Sequence, residues 1–138
     1  LSKLAELKQL INDRELIVMG NVPGSVNGLP AECLTRPRYL FDPCENGMDF
    51  DSEQGLGFAE NRRLSEFASR TDGVHFMNPY DAFCDGGQCR PMQAGKILFS
   101  DASHLSKDGS RVLVDHFKAS ILAVLEQQAR VHRSTLSD

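Results

Sequence analysis

Leu4, Leu7, Leu10 and Ile11 fall at helical spacing with Lys, Glu and Gln between them. Residues 2–13 therefore read as an amphipathic helix, broken by Asn12-Asp13. The run Glu15-Leu-Ile-Val-Met-Gly20 is short, almost unbroken and contains β-branched residues. Such a run suits a strand buried on both faces, the kind parallel sheets use, and a helix feeding it is half of a βαβ unit. From Pro23 to about Gln54 no period persists, and Pro23, Gly24, Gly28, Pro30, Pro37, Pro43 and Gly47 punctuate the stretch. A loop of that length is uncommon in a compact domain and is usually functional or disordered.

Helical spacing returns from Glu60 to Ser69 through Leu64, Phe67 and Ala68. Val74-His-Phe-Met77 reads as a second short buried strand ended by Asn78-Pro79, and Tyr80, Ala82 and Phe83 as a single helical turn. After Cys89 the pattern predicts a hairpin: Arg90-Pro-Met-Gln, a turn at Ala94-Gly95, then Lys96-Ile-Leu-Phe-Ser100. Ser106 is placed to cap a long helix with Val112, Leu113, Phe117, Ile121, Leu122 and Leu125 as its apolar stripe. Beyond about Gln128 the chain is polar and is expected to fray. The order α-β-loop-α-β-β-α is an α/β layer with two or more strands missing from one side. Residues 1–128 are expected to form part of one domain and residues 129–138 a frayed tail.

The 138 residues suit one domain, with 41% apolar and 25% charged residues, ordinary values for a soluble globular protein. A net charge of −4 with scattered Lys and Arg lacks the clustered cations that neutralise phosphates, so no nucleic-acid partner is expected. No apolar run approaches the ~20 residues that span a bilayer, and no basic-then-apolar leader opens the chain. Residue 1 is Leu and already lies in the helical pattern, which reads as a fragment of a longer protein. Four cysteines, Cys33, Cys44, Cys84 and Cys89, allow three pairings. Cys84-Asp-Gly-Gly-Gln-Cys89 is a short Gly-containing turn suited to a local disulfide, which would leave Cys33 with Cys44 to staple the long loop. Local pairs favour an oxidising compartment; four reduced thiols in a cytosolic protein are the alternative.

Candidate chemistry concentrates in Asp101-Ala-Ser-His-Leu-Ser106, between a strand and a helix, where open α/β folds place their sites. An Asp three residues before a His lets the carboxylate accept from the imidazole Nδ1–H within one loop. That contact fixes the tautomer, frees Nε2 as general base and stabilises the imidazolium. By spacing alone, a surface Asp beside a helix-capping His serves equally well. Ser103 would point away from the pair as local hydrogen-bonding structure. His75 and His116 read as packed, hydrogen-bonded histidines, and His132 belongs to the tail. Asp49 and Asp51 are two carboxylates without further oxygen ligands, a poor calcium site, so no metal or other cofactor is expected.

Cys84-(x4)-Cys89 followed by Gly95-Lys-Ile-Leu-Phe-Ser-Asp101-Ala-Ser-His104-Leu-Ser-Lys-Asp-Gly109 resembles the closing segment of the SGNH domains fused to acyltransferase-3 membrane proteins. Val18-Met-Gly-Asn-Val-Pro23 is similar to their strand-plus-Val-Pro element, so the resemblance covers about residues 1–125. It implies a partial SGNH-hydrolase, flavodoxin-like three-layer α/β fold with parallel strands plus a C-terminal hairpin. It also implies an extracytoplasmic O-acyltransferase or esterase acting on cell-envelope polysaccharide, tethered through a membrane acyltransferase domain of the same parent chain. Asp101 and His104 would be the catalytic acid–base part of a Ser-His-Asp triad. The family's Gly-Asp-Ser block, which carries the nucleophile, does not occur in these residues and is expected upstream. Asn21 superficially suggests an oxyanion donor and Ser25 a nucleophile, but a turn residue and a loop hydroxyl account for them equally. The rival reading is a disulfide-stapled extracellular binding module in which Asp101 and His104 are incidental. A cytosolic hydrolase is a third.

Overall fold

The structure is a computed structural model that describes residues 1–24 and 48–135, with backbone alone for the last two. Helix α1 spans Ser2–Ile11 and delivers the chain to strand β1, Leu16–Met19, as the alternation of elements predicts. Strand β2 is Phe50–Asp51, followed by a 3-10 turn at Ser52–Gln54 and helix α2, Phe58–Ser69. Strand β3, Val74–Met77, runs parallel to β1 in the register Leu16↔Val74 to Met19↔Met77. Backbone bonds at both ends, Leu16 N–H to Gly73 O (2.8 Å) and Gly20 N–H to Met77 O (3.0 Å), extend that ladder. The expected parallel α/β arrangement is therefore present.

Strand β1 departs from the expectation of burial on both faces. Leu16, Ile17 and Val18 are half-buried and Met19 is 43% exposed. Among the described residues only β3 pairs with it, and α1 has no buried residue and turns Leu10 to solvent.

Past β3, the single turn α3 (Tyr80–Phe83) leads into β4, Cys84–Asp85, and β5, Gln88–Cys89. These two strands and β2 form a three-stranded antiparallel sheet in the order β2-β5-β4, which the sequence pattern did not reveal. Strands of two residues are too short to show a period. Cys84 and Cys89 face each other across β4–β5 and are joined by a disulfide with S–S 2.02 Å. Gly86 (φ 56°) and Gly87 (φ 82°) form the connecting turn, in a backbone region that side chains resist. The proposed Cys33–Cys44 pair lies outside the described residues.

The predicted C-terminal hairpin is formed by β6, Met92–Gln93, and β7, Lys96–Ile97, around Ala94 and Gly95. Its second strand is shorter than expected. After Ile97 the chain folds back on itself, with Phe99 bridging to Leu105, so residues 98–106 form a closed loop instead of continuing to Ser100. Helix α4 then spans Lys107–Thr135.

Two expectations for α4 need correction. Residues 129–135 are helical, not frayed, because no Gly or Pro follows Gly109 in the helix. Gln128 Oε1 also accepts the Glu15 N–H (2.6 Å), fastening that end to the start of β1. The buried stripe passes through Phe117 and Val124, seven residues or about two turns apart, leaving Leu122 and Leu125 about half exposed.

Among the described residues, buried side chains gather in two clusters. Phe50, Tyr80 and Cys89 form one, and Phe83, Leu98 and Phe99 the other, with Val22, Leu105, Val112 and Leu113 packed around the second. Cys84 touches both clusters, so the disulfide joins them. The Tyr80 hydroxyl donates to Leu56 O (2.8 Å). Burial, with Glu60 adding to it, pushes its pKa up to about 12, so it stays a neutral donor at physiological pH.

Gly109, in the first turn of α4, sits directly against Leu98, where a Cβ would lie 1.9 Å from the carbonyl oxygen. Helix propensity alone makes Gly→Ala stabilising by about 1 kcal/mol, whereas forcing atoms into a packed contact costs about 1–3 kcal/mol. The contact is with backbone and cannot relax by a rotamer change, so Gly109→Ala is expected to lower stability. Denaturant unfolding checks the sign, and a variant as stable as the parent or more so would refute this packing.

Candidate active site

The loop carrying Asp101 and His104 is closed at its base by backbone bonds. Ser100 N–H donates to His104 O (2.8 Å), and Ser106 N–H donates to Leu98 O (2.9 Å). Ser106 then uses its side chain twice. Its Oγ–H donates to Ile97 O (2.6 Å), and its Oγ accepts the Gly109 N–H (3.1 Å), the expected helix cap. One hydroxyl thus ties the hairpin end to the helix start, with the loop held between them.

Within the loop, Asp101 Oδ1 accepts the backbone N–H of Ser103 and of His104, each at 2.8 Å. This is the Asx-type turn that short polar side chains make with the backbone just ahead. The same carboxylate meets the His104 ring, with Nδ1 at 2.9 Å from Oδ1 and 2.8 Å from Oδ2. An ionised carboxylate only accepts, so Nδ1 carries the proton and neutral His104 presents Nε2 as a lone pair. No group among the described residues bonds Nε2, and the His104 side chain is 76% exposed. The hydrogen bond predicted from the D-x-x-H spacing is therefore present, with the ring open to solvent.

The backbone N–H of Ser103, ahead of the contacts from His104, holds the Asp101 pKa below its usual value of 3.8 against a smaller opposing desolvation. The carboxylate is ionised through the neutral range and orients the ring. With its side chain about half exposed it works as a positioning charge; exposed pairs of this type add little to stability.

The other sequence candidates lie elsewhere. Ser103 does not point away from the pair, as was expected: its Oγ lies 3.5 Å from both Asp101 Oδ1 and His104 Nδ1, held by its own turn. His75 meets Glu15 at 2.8 Å across the parallel strands, in line with its reading as a packed histidine. His116 is exposed, contrary to expectation, and its ring rests edge-on against Phe117 at 4.6 Å. His132 lies in α4, not in a frayed tail. Asp49 faces Arg90 at 4.0 Å and Asp51 caps the 3-10 turn through Glu53 N–H. Ser25 lies outside the described residues, and the Asn21 N–H is taken by Asn61 Oδ1 (2.7 Å), so that donor is not free for an oxyanion.

Sequence reasoning missed Gly24 and Asn61. A Cβ on Gly24 would lie 2.2 Å from Ala102 O, which places the segment following β1 directly against the loop. The Val-Pro-Gly run after β1 was the available signal. Asn61 is 2% exposed, and its signal was position: it shares the inward face of α2 with Phe58, Leu64 and Ala68.

A family model described as "SGNH domain (fused to AT3 domains)" matches residues 3–119. No curated protein and no solved structure matches the chain.

The pH dependence of the loop follows from the sign of the Asp101 shift. A depressed carboxyl pKa means that the Asp101 contacts are fully present above the usual value of 3.8 and are lost as pH falls through the lower folded value. His104→Ala is expected to raise the Asp101 midpoint only part of the way, since the Ser103 N–H, the largest cause, remains. Carboxyl 13C NMR titration measures this; a midpoint returning wholly to 3.8 would show that the turn contributes nothing.

Proposed function

The chain belongs to the SGNH domains fused to AT3 domains, and from that membership we propose that Asp101 and His104 are the acid–base part of a Ser-His-Asp triad. The family gives SGNH-type acyltransferase or esterase chemistry as the setting. One observation carries the assignment of roles: both oxygens of Asp101 meet His104 Nδ1 while Nε2 stays open to solvent. In the proposed reaction a serine hydroxyl attacks an acyl carbonyl as His104 Nε2 takes its proton. Asp101 holds the ring and balances the imidazolium. The proton returns from His104 to the leaving oxygen as the acyl-serine forms. A sugar hydroxyl, or water, then repeats the sequence in reverse, giving transfer or hydrolysis.

No Gly-Asp-Ser occurs in the 138 residues, and the nucleophile in this proposal comes from another part of a longer polypeptide that carries the AT3 domain. The acceptor is proposed to be a cell-envelope polysaccharide reached on the extracytoplasmic side. The Cys84–Cys89 disulfide supports an oxidising compartment. Among the described residues no helix is long and apolar enough to cross a membrane, so tethering would be the work of the AT3 domain.

The test has two arms. The 138-residue protein should not show enzyme-like turnover of an activated acetyl ester, since a lone positioned base contributes only ~10²–10⁴-fold and the oxyanion donors supply further orders of magnitude. Robust turnover lost in His104→Ala would place the nucleophile inside these residues, Ser25 first. The longer polypeptide should carry one serine that reacts with a fluorophosphonate, and His104→Ala should abolish that labelling. Absence of any such serine would overturn the triad and leave the chain a binding module.

A further inference from the structure

Asn61 is the only buried polar or charged residue among the described residues, and its amide is fully used. Its Oδ1 accepts the Asn21 N–H (2.7 Å), and its Nδ2 donates to Asn21 O (2.8 Å) and to Asn78 Oδ1 (3.0 Å). The first two bonds grip both backbone groups of one residue, which fixes the amide's orientation without ambiguity. Asn21 follows β1 and Asn78 follows β3, so a single side chain on α2 ties together the C-terminal ends of both parallel strands.

Burying an amide is costly unless every polar atom is satisfied, and an apolar residue at position 61 would leave both Asn21 groups without these partners. What the clamp fixes lies downstream. Val22 packs into the cluster of Phe83, Leu98 and Phe99, beside Leu105. Pro23 is fully buried. Gly24 O accepts the Leu56 N–H (3.1 Å), and a Cβ on Gly24 would fall 2.2 Å from the carbonyl oxygen of Ala102, the residue between Asp101 and Ser103, so the two backbones lie close together.

We propose that Asn61 is a positioning residue for the Asp101–His104 pair, acting through the Asn21–Gly24 segment that backs the loop at Ala102. The consequence for catalysis rests on the acid–base reading of the pair, but the geometry can be tested without catalysis. With the clamp gone, Gly24 no longer holds Ala102 in place. The Asx turn at Asp101 then loosens, and the short bond to Nδ1 loosens with it.

The experiment is NMR on the 138-residue protein with three variants: Asn61→Ala, Gly24→Ala and, as a control, Leu64→Ala on the same face of α2. The readouts are the Asp101 titration midpoint and the His104 ring nitrogen shifts, which report the tautomer. Asn61→Ala should raise the midpoint toward the usual carboxylate range and erode the preference for the Nδ1–H tautomer. Gly24→Ala, which strikes Ala102 directly, should do the same. Leu64→Ala should lower the melting temperature while leaving both readouts unmoved. Should Asn61→Ala fail to fold, Asn78→Ala removes one of the three bonds and is read in the same way. A folded clamp variant with the parent's midpoint and tautomer would overturn the proposal and reduce Asn61 to a structural role. So would a control that moves both readouts equally. Because no step depends on turnover, loss of the triad reading would leave this result standing, and the reverse also holds.

Discussion

The arrangement depends on the close backbone contact between Leu98 and the first turn of α4. Leu98 N–H donates to Pro91 O (2.9 Å), which continues the β6–β7 hairpin, and Leu98 O accepts the Ser106 N–H, which closes the loop. Its side chain is 1% exposed at the centre of a core cluster, and Gly109 lies on its carbonyl. One residue therefore fixes the hairpin, the loop and the helix relative to each other. The eight residues that follow it, Phe99 to Ser106, have both ends anchored, so the Asp101 turn forms on a frame that is already set. A site on a loop is usually less exact than one on a strand or helix. Here the loop gains precision by being pinned at its base to buried backbone.

Elements with a local signal were legible in the sequence, and those defined by distant pairing were not. Helices α1 and α2, strands β1 and β3 and the turn at Tyr80 were visible because each repeats a period or is an apolar run ended by Asn, Asp, Gly or Pro. The sheet β2-β5-β4 was invisible because its strands are two residues each and its pairing joins Phe50 to Cys89, a distant contact that no local window reports. The stripe of α4 was misread at Leu122 and Leu125 because periodicity gives several rotations of a helix rich in apolar residues. Burial decided among them, selecting Val124. Asp101 and His104 were found because their contact is local, three residues apart. Asn61 and Gly24 were not, because their meaning lies in contacts 40 residues away (Asn61 Oδ1 with Asn21 N) or across the core to Ala102.

Asp101 and His104 are both well exposed, which separates what holds the pair from what the pair contributes. An exposed ion pair between flexible side chains contributes little, because water screens the charges and ordering the side chains costs entropy. Asp101 escapes most of that entropy cost. Two backbone N–H groups already hold Oδ1, so the carboxylate is set before the ring arrives. The ring then has one orientation that meets both oxygens, and its own backbone N–H is bonded to the same carboxylate. The pair is thus ordered by the turn and not by burial.

Short strands alone do not stabilise such a frame, since isolated hairpins are marginal in water. Three devices compensate here, and they converge. The Cys84–Cys89 bond locks β4 to β5 and joins the two core clusters. Closing a loop of this size removes roughly 2 kcal/mol of unfolded-chain entropy on the loop-closure account. The aromatic pairs Phe58–Tyr80 and Phe83–Phe99, with ring centres 5.6 and 5.2 Å apart, fill one cluster each. The Asn61 amide supplies the directional link that apolar packing lacks, since packing tolerates small slips and a two-point grip on the backbone of one residue does not. The apolar clusters therefore set how firmly the elements hold together. The few directional contacts, at Asn61, Ser106 and Asp101, set where the imidazole stands.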